Sequence, residues 1–166
     1  MELNNKNVQS FPIDFTDENT FISKPGEKSE DVIGRFPEIG SDRKTVVVTD
    51  PYLFWQKDDD YKIILIKALN RLNAATIIYC SHQHPDRNLF TEIQGALCNC
   101  SLDYKKLERC HDRFWYCVET RRGFSTGTSL NGIGKKICSV DVLSDETNAD
   151  FYQMLIDQGV IISESK

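Results

Sequence analysis

The residues best equipped for chemistry lie in one stretch, His111 to Lys136, which reads HDRFWYCVETRRGFSTGTSLNGIGKK. It opens with an imidazole and, two residues on, a guanidinium. The spacing predicts a strand through RCHDRFWYCVE. Alternate side chains of a strand share a face, so His111, Arg113, Trp115, Cys117 and Glu119 are expected on one side. Asp112, Phe114, Tyr116 and Val118 are expected on the other. An Arg fork donates two parallel hydrogen bonds to phosphate oxygens. A neighbouring histidine within reach of the same phosphorus serves as nucleophile or general acid. The turn that follows, GTSLNGIGKK, adds Gly127, Gly132 and Gly134, where backbone N–H groups can approach an anion. Ser129 and Asn131 add side-chain donors, and Lys135 and Lys136 add charge. The pattern is not a nucleotide P-loop, which needs Gly at Ser129 and Ser or Thr at Lys136.

The charge balance agrees with a local anion site. The whole chain carries −5, yet Tyr104 to Cys138 holds eight basic and three acidic residues. A positive segment on an acidic protein suits one compact anionic ligand and does not suit a protein coated in nucleic acid. Scattered solvated charges would read the same way in sequence. Metal chemistry is less well served. His82, His84, Cys98, Cys100, Cys110 and His111 could be gathered into a zinc reading, but Cys98 and Cys100 stand one residue apart, closer than the two to four of structural zinc knuckles. Neither a metal nor a cofactor is expected. Without a secretion signal, the six cysteines are expected to be reduced thiols.

These residues need a scaffold, and 166 residues with nine Phe, six Tyr and two Trp supply one globular domain. TVVVTDPYLF predicts a strand buried on both faces and stopped at Asp50-Pro51. DDDYKIILIKALNRLN predicts a helix, with acids at its N-terminus and Ile63, Ile64, Leu65, Leu69 and Leu72 as its apolar stripe. AATIIYCS reads as a second buried strand. NLFTEIQGAL reads as a second amphipathic helix, with Leu89, Ile93, Ala96 and Leu97 on one face. Alternating strands and helices imply a parallel sheet covered by helices. RGFSTGTSL follows as a hairpin partner, KKICSVDVL as a further strand, and ADFYQMLIDQG as a helix ending near Gly159. Residues 1–44 are expected to form an N-terminal extension docked on a main domain of residues 45–166. FPIDF and TFISK are its candidate edge strands. No apolar run approaches the ~20 residues of a membrane span, and no signal peptide is recognised, so a cytoplasmic protein is expected.

The order of these residues resembles the signature of the phospholipase D superfamily, H-x-K-x4-D followed by G-S-x-N. Here it stands as His111-Asp112-Arg113, then Gly127-Thr128-Ser129-Leu130-Asn131, with one extra residue in the second part. The HDR variant and the strand ending Asp50-Pro51-Tyr52 are similar to the phospholipase D-like C-terminal domain of MIT-domain proteins, over about residues 45–160. The resemblance implies an α/β fold, a single phospholipase D-like domain with a mixed, mostly parallel central sheet flanked by helices. It implies a homodimer that brings two histidines together, one attacking phosphorus and the other protonating the leaving oxygen. Carried over, His111 is the nucleophile, Arg113 replaces the lysine clamp, and Ser129 and Asn131 bind phosphate. Gly127, Lys135 and Lys136 are expected to help hold the anion. Val118 stands where the motif has aspartate, and Glu119 beside it is expected to orient the imidazole. The implied activity is a phosphodiesterase, foremost a metal-independent nuclease. The alternative is an inactive module that binds phosphoinositide, an anionic lipid surface or a protein partner.

Overall fold

The computed structural model describes residues 20–163, so the candidate strand FPIDF lies outside the described residues. The elements in chain order are β1 (Phe21–Ser23), α1 (Ser29–Gly34), β2 (Thr45–Thr49), α2 (Asp59–Arg71), β3 (Thr76–Ser81) and α3 (Arg87–Ala96). They continue with β4 (Ser101–Lys106), β5 (Phe114–Cys117), β6 (Arg122–Thr126), β7 (Cys138–Val142) and α4 (Asp145–Asp157). The strands form one seven-stranded sheet in the order β1-β7-β6-β5-β2-β3-β4.

A mixed sheet flanked by helices is present, but it is mostly antiparallel. Only β2–β3 and β3–β4 run parallel, while β1–β7, β7–β6, β6–β5 and β5–β2 are antiparallel. The reason is the connections. A parallel pair needs a long crossover, and α2 and α3 supply the two that exist. β5 and β6 are joined only by residues 118–121, and β6 and β7 by a loop whose one regular turn is Leu130–Gly132. Extending the strand–helix alternation of residues 45–97 to the whole sheet was the error.

The helices form where side chains start them. Asp58 accepts the Tyr61 N–H at the start of α2, Asp86 accepts the Asn88 and Leu89 N–H groups at α3, and Ser144 accepts from Thr147 at α4. The buried stripe of α2 is Tyr61, Leu65, Ala68 and Leu69, whereas Ile63 from the expected stripe is half exposed. α1, α2 and α3 pack on one face of the sheet against Val46, Val48, Ile77, Tyr79, Trp115 and Phe124. α4 packs on the other face against Val47, Ile78 and Tyr116. Both faces of β5 are therefore core, and Trp115 and Tyr116 point opposite ways into it. Of residues 20–44, β1 pairs at the sheet edge with β7, and α1 buries Val32 and Ile33.

Candidate functional site

Register decides which polar residues can meet. Thr49 pairs with Phe114 across β2–β5, and Phe114 pairs with Ser125 across β5–β6. Asp50, just past β2, Arg113, just before β5, and the loop leaving β6 are therefore at one end of the sheet. β3 runs parallel to β2, so His82, just past β3, joins them. Glu119 leaves β5 at the other end.

Arg113 is held by its backbone. Thr49 Oγ1 donates to the Asp112 carbonyl (2.8 Å) and accepts from the Phe114 N–H (2.9 Å). The Arg113 carbonyl accepts from the Thr126 N–H at 3.0 Å. Its side chain starts inside and ends outside. Nε is buried without a hydrogen-bond partner, 3.9 Å from Asp50 Oδ1, while the side chain as a whole is 23% exposed. The guanidinium carbon stands 5.9 Å from the Tyr52 ring centroid.

Asp50, which the sequence marks as the end of β2 and part of the Asp50-Pro51-Tyr52 resemblance but not as a site residue, sits at the centre of this cluster. It is buried to 1% exposure. Its carboxylate lies 2.8 and 2.7 Å from the Ser129 hydroxyl, which donates to it, and also accepts the Tyr52 N–H at 2.9 Å and the Leu130 N–H at 3.4 Å. Burial pushes its pKa up, opposed by the Ser129 hydroxyl, the Tyr52 N–H, the Arg113 charge and the Leu130 N–H. Ser129, expected to bind phosphate, is thus committed to a buried carboxylate. The signal available in sequence was the acid itself, placed directly after a doubly buried strand, where a charge demands partners.

The glycine turn is spent in the same way. The Gly127 N–H donates to the Ser139 carbonyl at 2.8 Å and the Gly132 N–H to the Ser129 carbonyl at 2.8 Å. Gly134 adopts φ +75°, and an added Cβ there would strike the Glu27 carbonyl oxygen. These glycines serve close chain packing rather than an open anion nest. Asn131 lines a different place, a cleft of about 670 Å³ shared with Glu27, Glu30, Asp58, Asp60 and Lys135. Its acids outnumber its lysines, so it disfavours a phosphate. Lys135 and Lys136 are exposed.

His111 is not in a strand; it sits exposed in the loop before β5. Its ring lies 6.2 Å from that of His82, tilted by 55°. His82 is partly buried, and its Nδ1 is enclosed without a partner. Cys110 adjoins this pair, its Sγ donating to the Asp112 carbonyl at 3.7 Å. Burial pushes its thiol pKa up, the wrong direction for a nucleophilic cysteine.

Glu119 does not orient His111. At the far end of β5, both its oxygens accept the Thr45 N–H, at 3.1 and 2.9 Å. The positive segment also divides. Arg121, in the β5–β6 turn, and Arg122, the first residue of β6, lie at that far end, Arg121 covering the Tyr152 ring at 4.1 Å. Lys105 is used on the Val160 carbonyl, at 2.8 Å.

The fold and site together define a mixed α/β domain with a polar end to its sheet, at which His111 is exposed and His82 and the Arg113 guanidinium are partly buried. No protein-family model matches the chain, and no curated protein matches it by sequence. Solved structures that resemble it include a polyphosphate kinase from Porphyromonas gingivalis, with a TM-score of 0.52 and 9% identity, covering 89% of this chain and 27% of that one. They also include TrmBL2, an archaeal chromatin protein whose structure shows a mode of DNA binding, with a TM-score of 0.43 and 13% identity, covering 86% of this chain and 52% of that one. At 9% identity the likeness to the kinase is one of fold alone. The chain spans about half of the archaeal protein and about a quarter of the kinase.

Proposed function

We propose that this chain is a phospholipase D-like phosphodiesterase, a metal-independent nuclease with His111 as nucleophile. What carries the reading is the 6.2 Å approach of His111 and His82 at the sheet end where Arg113 opens to solvent. The imidazole of His111 forms a bond to phosphorus as the bond to the leaving oxygen breaks. A second, protonated imidazole gives that oxygen its proton. Water then attacks the phosphohistidine and loses a proton to the same second imidazole, which restores both groups. Arg113 holds the phosphoryl oxygens through its outer N–H groups. The resemblance draws the second imidazole from a homodimer partner; the position of His82 favours a pair within one chain. Hydrolysis of an oligonucleotide and of a chromogenic phosphodiester in EDTA tests the reading, and turnover unchanged in His111→Ala overturns it.

A second reading has its own support. With Ser129 bound to Asp50 and Asn131 in an acid-lined cleft, only part of the motif faces the histidines. A non-catalytic module that holds a phosphate group, on a phosphoinositide or on a protein partner, would keep that geometry. It predicts binding of phosphoinositide vesicles or of a partner without turnover.

A further inference from the structure

We propose that the sheet end carrying His111 and Arg113 takes single-stranded nucleic acid, with Tyr52 and Trp55 as the platform on which unpaired bases stack. This rests on the phosphodiester reading of that edge and names its substrate class. The loop after β2 buries its middle and exposes its flanks. Leu53 and Phe54 are in the core at 0% and 3% exposure, while Tyr52 and Trp55 stand out at 46% and 61%. The loop is fixed rather than loose. The Leu53 carbonyl accepts from the Tyr61 hydroxyl at 2.7 Å, the Leu53 N–H donates to the Asp50 carbonyl at 3.2 Å, and the Trp55 N–H to the Tyr52 carbonyl at 3.2 Å. The two outward rings meet edge to face with centroids 6.1 Å apart. Two large aromatics held rigidly in water lose hydrophobic stabilisation that burial would have given. Here Tyr52 stands beside a guanidinium, the Arg113 carbon lying 5.9 Å from its ring centroid, and Trp55 meets Tyr52. Lys57, two residues after Trp55, is paired with Asp86 at 2.5 Å, so Arg113 is the cation beside the rings.

Cations beside exposed aromatic faces are the elements of single-strand recognition. The cations follow the backbone and every base offers a π-face. A lipid surface would also take up the rings at its interface, so phosphoinositide vesicles that bind in place of the strand and quench Trp55 would overturn the platform. A duplex hides its base faces and would gain only the charge term.

The two tryptophans make the test direct. Trp115 is buried at 1% exposure and Trp55 is open, so fluorescence quenching on adding a twelve-nucleotide oligothymidylate reports on Trp55. The expected result is quenching with tight binding at low salt. Read for the variants by the anisotropy of a dye-labelled oligomer, which does not depend on Trp55, binding should fall roughly tenfold in Trp55→Ala, recover in Trp55→Phe, and fall by a similar factor for an abasic oligomer of the same length. Trp55 is exposed, so circular dichroism should show both variants folded. Equal binding of the abasic strand, equal binding of a duplex, or full binding by Trp55→Ala would overturn the platform. A chain that quenches on the strand but never cleaves it removes the nuclease reading and leaves this inference standing. Cleavage without quenching does the reverse.

Discussion

Two polar clusters share one end of the sheet, and they are opposites. Asp50, Ser129 and the inner half of Arg113 form a buried knot in which the carboxylate is approached by a hydroxyl, two backbone N–H groups and a guanidinium. His82 and His111 form an open pair with an enclosed nitrogen that has no partner. Buried polar groups are retained when satisfied, because an unpaired one costs heavily. Each cluster keeps one enclosed nitrogen without a partner, Arg113 Nε and His82 Nδ1; what separates the two is that His111 is exposed. The contrast teaches that residues in the order of one motif can divide their labour. Ser129 is bound to the buried Asp50 carboxylate beside Arg113, whereas the imidazole of His111 is left exposed.

If that division holds, damage to each cluster must appear in a different measurement. The largest effect is expected from His111→Ala. Loss of a nucleophile should lower turnover by at least roughly 10⁴-fold, with stability changed by no more than about 0.5 kcal/mol, since the residue is exposed. His82→Ala should follow at roughly 10²–10⁴-fold, the usual worth of a general acid. Light scattering gives this comparison its edge. A monomer that retains turnover assigns the second imidazole to His82, whereas a dimer indifferent to His82→Ala assigns it to a second copy of His111.

The knot should fail in stability instead. Asp50→Ala orphans Ser129, two N–H groups and the inner face of Arg113, and is expected to cost about 3–5 kcal/mol by urea denaturation. Asp50→Asn keeps the shape of the protonated acid and should cost far less. Its pH dependence separates the forces on the carboxyl. Burial raises the folded-state pKa above the ordinary 3.8, so the wild type binds more protons folded than unfolded. Its stability from this group is whole below pH 3.8 and declines as pH rises through the folded-state value. Asn does not titrate, so the wild type should lose ground to Asp50→Asn as pH rises. A wild type that gains ground would mean that Arg113 and the N–H donors outweigh burial.

The same contrast explains how much could be read from the chain alone. VVVT, TIIYCS and the capped α2 and α3 were legible because long apolar periodicity and Asp caps are local signals. β4 was missed. SLDYKK is an edge strand in which only Leu102 and Tyr104 face the core, alternating with exposed Asp103 and Lys105, too short an alternation to stand out. The motif residues His111, Arg113 and Ser129 do reach one sheet end, since register carried them there. Their partners were illegible. That Ser129 would turn to Asp50, 79 residues away, and His111 to His82 depends on pairing between distant strands, which no local pattern encodes.

Glu119 offers the smallest and sharpest test. Sequence alternation placed it on the face of His111, and a regular strand from residue 111 to 119 would have made that matter. The strand instead spans Phe114–Cys117, and the carboxylate closes the opposite end by accepting the Thr45 N–H, the first ladder donor of β2. Glu119→Gln keeps an acceptor oxygen and gives up only the charge. The charge assistance it loses is partly screened at this exposed site. The expected cost is below about 1 kcal/mol in stability, with turnover and its pH profile unmoved. A shift of the acidic limb of that profile would instead mean that the carboxylate communicates with the imidazole along the whole length of β5, and the division between scaffold and site would have to be redrawn.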